Sequence, residues 1–330
     1  MTGKATERTG PTVLIGHRMA EDDLAALSSA APGANVTRAG GRDGVLAAIA
    51  EADAYLPGPW DAEVLRAAGR LRWVHFSSAG LDGLLFRAAV ESDVTITNSA
   101  GVYAVPIAEH TMALMLSFCR ALNVCLRRGP EQLWHARGAR RSLTGRMTEL
   151  GGATLGILGY GGIGRETARL AKAFGMRVLA LRRHPAPDEL ADEVSGLDGL
   201  DELLRRSDYL LVSCALTEET RGLIGARELA LMKPTAVVVN VARGAVVDED
   251  ALIEALRKGT IGGAGLDVTT REPLPTDSPL WGMENVIITP HVSAASPRTS
   301  GRSLELVAEN LRRFAAGEPL LNVVDKRTGY

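Results

Sequence analysis

The sequence predicts an α/β protein of two lobes, each a parallel sheet with helices on both faces. Three observations predict it. Short apolar runs alternate with helical stretches along most of the chain, the pattern of strand–helix–strand units. One such junction places Gly159-Tyr160-Gly161-Gly162-Ile163-Gly164 directly between an apolar run and a helical stretch. The length of 330 residues allows about two domains, and 46% hydrophobic with 23% charged residues is ordinary for a globular chain.

The elements follow in order. Residues 1–11 are polar, lack the apolar core of a signal peptide and read as a loose tail. Residues 12–16 form a short apolar strand and residues 21–30 a helix; Val36, followed by residues 45–50, repeats that order. Residues 52–56, 71–76 and 94–97 are further strands, with a helix near residues 61–68. Residues 106–122 are a long apolar helix expected to link the lobes, with Pro106 in its first turn, where a missing N–H costs nothing. Residues 127–146 are polar and basic and read as a surface connection. A second α/β unit runs from Gly152 to about Pro290, with strands at 154–158, 176–181, 209–213, 236–240, 263–267 and 286–289 and a helix at 165–175. The last helix, residues 303–316, is amphipathic and is expected to pack back on the first lobe. A cleft between the lobes is the expected place for a small-molecule site.

Composition excludes several classes. The formal net charge is −2 and there is no basic block, so nucleic acid is not an expected partner. No apolar run is long enough to span a bilayer, which with the polar start predicts a cytoplasmic protein without a membrane partner. Cys119, Cys125 and Cys214 lack metal-ligand spacing and read as buried thiols, so no metal site and no catalytic cysteine are expected.

The glycine run carries the first functional expectation. Gly159 permits a tight turn, Gly161 lets the backbone approach a pyrophosphate, and Gly164 lets helix and strand pack closely. The helix N-terminus then offers free N–H groups to that anion. The next strand ends in Arg182-Arg183-His184 instead of an acidic residue. A carboxylate there would repel a 2′-phosphate, whereas guanidinium groups attract one. NADP(H) is therefore the expected cofactor, with NAD(H) also possible.

Three later segments, each after a predicted strand, carry groups suited to hydride-transfer chemistry: Asn240-Val241-Ala242-Arg243-Gly244, then Gly265-Leu266-Asp267-Val268 with Glu272-Pro273, and Thr289-Pro290-His291. Reducing a 2-keto acid needs a cation for the carboxylate, a polarised carbonyl and a proton donor. Arg243 is suited to the first two tasks. His291 is suited to the third, and a carboxylate such as Glu272 beside it favours the imidazolium. Asp267 is placed to accept a hydrogen bond from a nicotinamide amide. The remaining histidines, His17, His75, His110, His135 and His184, lack comparable surroundings, though His75 and His110 lie next to interlobe segments. Trp281 reads as core packing, and side-chain selectivity is expected from residues 77–81, from those after His291, and from Trp134 or Trp281.

On these motifs, together with Ser78-Ala79-Gly80-Leu81-Asp82 and residues 98–109, the chain resembles the D-isomer-specific 2-hydroxyacid dehydrogenases over nearly its whole length, and around Val105-Pro106-Ile107-Ala108-Glu109 it is most similar to their glyoxylate/hydroxypyruvate reductase branch. The resemblance implies a Rossmann coenzyme domain (residues 102–295) inserted into a flavodoxin-like substrate domain (residues 1–101 and 296–330), and a homodimer. It implies Arg243, Glu272 and His291 as the catalytic set. Tyr160, Gly161, Gly162, Ile163, Arg182, Arg183, Ala215, Val241, Ala242, Arg243, Asp267 and His291 are the implied cofactor contacts, with Ala215 standing where the family often has proline. Ala79 and Gly80, with Arg243 and His291, are the implied substrate contacts. The expected reaction is reversible reduction of a small 2-keto acid to the D-2-hydroxy acid. A formate or phosphite oxidoreductase on the same scaffold, and a nucleotide-sensing corepressor-like protein, are the alternatives.

Overall fold

The structure, a computed structural model, describes residues 10–329; of the tail expected at residues 1–11, residues 1–9 lie outside the described residues. The chain forms two compact units, Met1–Val102 with Ser296–Tyr330, and Tyr103–Ala295.

The first unit alternates β1 (Thr12–Ile15), α1 (Glu21–Ala30), β2 (Asn35–Arg38), α2 (Gly41–Ala48), β3 (Ala54–Leu56), α3 (Ala62–Ala67), β4 (Trp73–Phe76), α4 (Arg87–Glu91) and β5 (Thr95–Asn98). Its five strands are parallel in the order β2-β1-β3-β4-β5. The period of two sends Val13 and Ile15 to one face and Leu14 to the other. Both faces are covered, which is why β1, β3 and β4 are buried at every position.

The second unit opens with α5 (Ala104–Cys119), α6 (Leu122–Arg128), α7 (Pro130–His135) and α8 (Ala139–Thr144). It continues with β6 (Thr154–Leu158), α9 (Gly162–Ala173), β7 (Arg177–Leu181), β8 (Glu193–Ser195), α10 (Leu200–Arg206), β9 (Tyr209–Val212), α11 (Ala226–Leu231), β10 (Val237–Asn240), α12 (Glu249–Lys258), β11 (Gly263–Leu266) and β12 (Val286–Ile288). The seven strands are parallel in the order β12-β11-β10-β9-β6-β7-β8, so the winding reverses between β6 and β9. The closing helix α13 (Thr299–Ala316) belongs to the first unit, where Val307 and Leu311 pack with Val13, Ile15, Leu27 and Trp73.

Several expectations need correction. The apolar helix α5 lies wholly in the second unit, packed on α9 and on β10, instead of serving as a link. The expected surface connection is largely helical. Two of its arginines are tied down: Arg127 Nη2 donates to Val286 O at 2.9 Å, and Arg128 Nε pairs with Glu284 Oε1 at 2.5 Å. The glycine-motif helix starts at Gly162, inside the motif, so the motif supplies the helix N-terminus itself. Strand β8 is short and mixed in character, which hid it. Of the cysteines, only Cys119 is buried; Cys125 and Cys214 are partly exposed.

Candidate active site

The site grows from the glycine turn. Gly159 adopts φ +100°, and a Cβ there would stand 2.3 Å from the backbone N of Cys214. Leu181 O accepts from Gly159 N at 3.1 Å and from Tyr160 N at 2.8 Å, tying the turn to the end of β7. Gly161 is the N-cap of α9, and no side chain caps that helix's first turn. Unlike Gly159, Gly161 has an ordinary negative φ of −98°, and a Cβ on it would meet nothing within 4 Å. Neither backbone geometry nor internal packing demands glycine at this position. What its hydrogen preserves is open space over uncapped N–H groups, which fits the close approach of a dinucleotide pyrophosphate.

The other expected cofactor residues surround this turn. Gly162 is exposed and Ile163 partly buried against the core. Tyr160 is buried and donates to Asp188 Oδ1 at 3.1 Å. Burial first, then the Asp188 carboxylate, push its hydroxyl up to about 12. Arg182 and Arg183 follow β7 and are exposed, with Arg183 Nη2 3.6 Å from Glu219 Oε2. In the loop after β9, Ser213 Oγ donates to Gly159 O at 2.9 Å and Ala215 O accepts from Thr220 Oγ1 at 2.7 Å. Burial pushes the Cys214 thiol in that loop up to about 11, so it stays protonated.

Beyond β10, Val241 and Ala242 are buried and Arg243 is half-buried. The buried Asn240 folds this loop: its Nδ2 donates to Arg243 O at 3.0 Å and its Oδ1 accepts from Ala242 N at 3.1 Å. The Arg243 guanidinium donates through Nη1 to Ala242 O at 2.8 Å. The next residue lies against another backbone, since a Cβ on Gly244 would fall 2.0 Å from the carbonyl carbon of Thr269. Thr269 N in turn donates to Glu272 Oε1 at 3.2 Å. Glu272 Oε2 lies 2.8 Å from His291 Nδ1. Glu272 and His291 are thus directly paired, and Arg243 is joined to them through the Gly244–Thr269 contact.

His291 follows β12 with φ +53°, the left-handed region. Its N–H donates to Asp267 O at 2.9 Å. The buried Asp267 carboxylate accepts from Thr289 Oγ1 at 2.6 Å, Val292 N at 3.0 Å and Ser293 N at 3.0 Å. Burial opposes its ionisation, but hydrogen bonds from Ser293, Thr289 and Val292 outweigh it and hold the carboxyl below its ordinary range. The nicotinamide-amide role expected of Asp267 therefore meets a carboxylate already engaged in shaping the His291 turn.

Glu272 and His291 border a cavity of about 620 Å³ that Leu274, Trp281 and Ile288 also line. Trp281, expected in the core, is 49% exposed. It sits on a single short turn, Pro279–Gly282, and its indole N–H finds its partner in Pro275 O at 2.8 Å. Sequence reading singled out His110 with His75 but gave it no partner; its Nε2 lies 3.0 Å from Thr289 Oγ1, 179 residues away, and no local spacing joins the two. In the first unit, Ala79 and Gly80 lie on the turn after β4, where Asn98 Nδ2 donates to Ala79 O at 2.7 Å. Among the described residues no group of three or more His, Cys, Asp or Glu is placed to hold a metal, and no helix is long and apolar enough to cross a membrane.

A glycine cradle at a sheet's switch point, with a histidine–carboxylate pair beyond the strands on one side of it, defines a nucleotide-dependent dehydrogenase. Comparison with known proteins agrees. Residues 112–293 match the family described as "D-isomer specific 2-hydroxyacid dehydrogenase, NAD binding domain". A glyoxylate reductase of Korarchaeum cryptofilum is 40% identical over 274 residues, 82% of this chain and 81% of that protein. A D-isomer specific 2-hydroxyacid dehydrogenase of Xanthobacter autotrophicus Py2, solved with NADPH and MES, superposes with TM-score 0.83 at 34% identity, covering 98% of this chain and 100% of that one. An NADPH-dependent glyoxylate/hydroxypyruvate reductase of Sinorhizobium meliloti, solved with NADP and sulfate, gives TM-score 0.79 at 29% identity, covering 97% and 100%. The chain belongs to the D-isomer specific 2-hydroxyacid dehydrogenase family. It is a nicotinamide-dependent oxidoreductase whose second unit is the Rossmann domain.

Proposed function

We propose that this enzyme reversibly reduces a small 2-keto acid of the glyoxylate or hydroxypyruvate kind to its D-2-hydroxy acid, with NADP(H) preferred over NAD(H). The observation that carries this reading is the 2.8 Å contact between Glu272 Oε2 and His291 Nδ1. A carboxylate on Nδ1 orients the ring and leaves Nε2 to carry the transferable proton. Arg243 binds the substrate carboxylate and polarises the keto oxygen. His291 delivers its Nε2 proton to the oxygen as charge develops there, while Glu272 stabilises the imidazolium before transfer. With its side chain 47% exposed, His291 recovers the proton from solvent. The nicotinamide, when bound, supplies the hydride to the carbonyl carbon.

Arg182 and Arg183 support the NADP(H) preference. The strand end bears guanidinium groups where a ribose-binding carboxylate would repel a 2′-phosphate. Tyr160, Gly161, Gly162 and Ile163 would line the pyrophosphate, and Ala215, Val241 and Ala242 the remainder of the cofactor. The Ala79–Gly80 turn is assigned to carboxylate recognition through its backbone N–H groups. The enzyme is read as a cytoplasmic homodimer that has neither a nucleic-acid nor a membrane partner.

The test is a panel of 2-keto acids with NADPH and NADH, measured as kcat/KM. Glyoxylate or hydroxypyruvate with NADPH is expected to lead. Turnover of formate or phosphite alone, or nucleotide binding without any turnover, would replace the reading with one of the alternatives.

A further inference from the structure

We propose that His110 is a positioning residue for the proton donor, acting through Thr289 and Asp267. The proposal rests on the reading of His291 as that donor.

The direction of each hydrogen bond follows from chemistry. Asp267 is ionised, so its oxygens only accept. Thr289 Oγ1, 2.6 Å from Asp267 Oδ1, must give its single proton to that carboxylate. The hydroxyl then has only lone pairs to offer His110 Nε2 at 3.0 Å, so Nε2 must carry a proton. The imidazole is therefore the Nε2–H tautomer or the imidazolium, and never the Nδ1–H tautomer alone. Asp267 Oδ1 lies 3.8 Å from the same nitrogen, which reinforces that polarity.

The relay ends on the catalytic turn. Asp267 receives the N–H groups of Val292 and Ser293, and its own carbonyl receives that of His291. These bonds bracket a histidine at φ +53°, a conformation that is unfavourable for a non-glycine residue and needs support from its surroundings. By fixing the Thr289 hydroxyl, His110 keeps Oδ1 committed to its partners and the left-handed turn in one arrangement. His110 sits on α5 and the turn follows β12, so the relay fastens the turn to a helix of the same unit.

The experiment compares His110→Leu, which has no donor, with His110→Gln, whose amide N–H reaches the Nε2 position. A displaced proton donor loses rate steeply. His110→Leu is expected to lower kcat by about tenfold or more, with the Kd for NADPH and the Tm unchanged. His110→Gln is expected to recover most of that loss. Thr289→Val should match His110→Leu, and the double variant should be no slower than either single one, because all three break the same chain. ¹⁵N spectra of histidine-labelled protein should show an Nε2-protonated ring that disappears in His110→Gln. Wild-type kcat in His110→Leu, additive losses in the double variant, or a His110 signal of the Nδ1–H tautomer would overturn the proposal. His291→Gln serves as the control: full turnover there would instead sink the reading of His291, whatever His110 does.

Discussion

Between β6 and β9 the sheet of the second unit reverses its winding, and between β1 and β3 the sheet of the first unit does the same. Open α/β sheets bind ligands at such switch points, yet these two are built to opposite ends. In the second unit α9 starts at Gly162, three residues after the turn glycine Gly159, and a Cβ at Gly161 would meet nothing within 4 Å. In the first unit the loops after β1 and β3 touch, as those after β6 and β9 do at Gly159 and Cys214, but the first turn of α1 has no glycine to leave such a space. A Cβ on Gly58 would stand 1.9 Å from Gly16 O, and one on Gly16 would meet Tyr55 Oη at 2.4 Å. The helices differ in charge as well. The first turn of α1 carries Glu21, Asp22 and Asp23, whose charges answer the helix dipole and repel a phosphate, whereas the first turn of α9 carries no acid. The same winding thus offers a candidate cradle where glycine leaves space outward and the first turn of the helix carries no acid.

The sharpest break to attempt lies downstream of that cradle. His291→Gln keeps a polar side chain but removes the proposed proton donor, and kcat is expected to fall by about 10²–10⁴-fold, measured as NADPH oxidation with saturating keto acid. Glu272→Gln should lose less, because the imidazole and its donor nitrogen remain. Next comes the cofactor's distal end. Arg182→Ala with Arg183→Ala should cut the NADPH-over-NADH ratio of kcat/KM by roughly 10–100-fold, the size of one or two charge-assisted hydrogen bonds, while leaving kcat with NADH unaltered. An unchanged ratio would show that these arginines are ordinary surface charge.

The smallest effect concerns the first unit, where a histidine serves the core instead of chemistry. His75 is buried between Thr97 Oγ1 at 2.8 Å and Ser99 Oγ at 3.3 Å, and burial pushes its imidazole from 6.5 down to about 4. The unfolded chain therefore binds a proton in that window that the folded unit refuses. Stability is full above about pH 6.5 and falls as the pH drops toward 4, by on the order of 3 kcal/mol from this group. Denaturant titrations across that range should show a shallower slope for His75→Gln than for the wild type. Equal slopes would mean that other groups carry the acid sensitivity.

Much of the candidate site was legible because its residues lie in contiguous motifs. The glycine run, Asn240 to Gly244, Glu272-Pro273 and Thr289-Pro290-His291 each follow a strand, and parallel strands carry their ends to one edge of the sheet. The 2.8 Å Glu272–His291 pair is the direct product of that arrangement. What escaped was long-range or local in the wrong way. His110 meets Thr289 only because α5 packs against the sheet, a contact no periodicity reports. Trp281 looked like core by residue type, yet it sits on a four-residue turn too short to bury it. The arginines of residues 127–146 looked solvated, yet Arg127 reaches backbone carbonyls of Trp281 and Val286.

The contrast between the two switch points is tested most directly by one paired measurement. Gly161→Ala and Gly58→Ala add the same methyl group, and each variant is titrated with NADPH and melted. Gly161→Ala should retain the wild-type Tm and lose about tenfold or more in NADPH affinity, because the methyl stands where the pyrophosphate must approach. Gly58→Ala should lose stability by about 1–3 kcal/mol or more through overpacking, with NADPH affinity preserved in whatever remains folded. Wild-type NADPH affinity in Gly161→Ala would contradict the account, because the open glycine would then not be the cofactor's cradle.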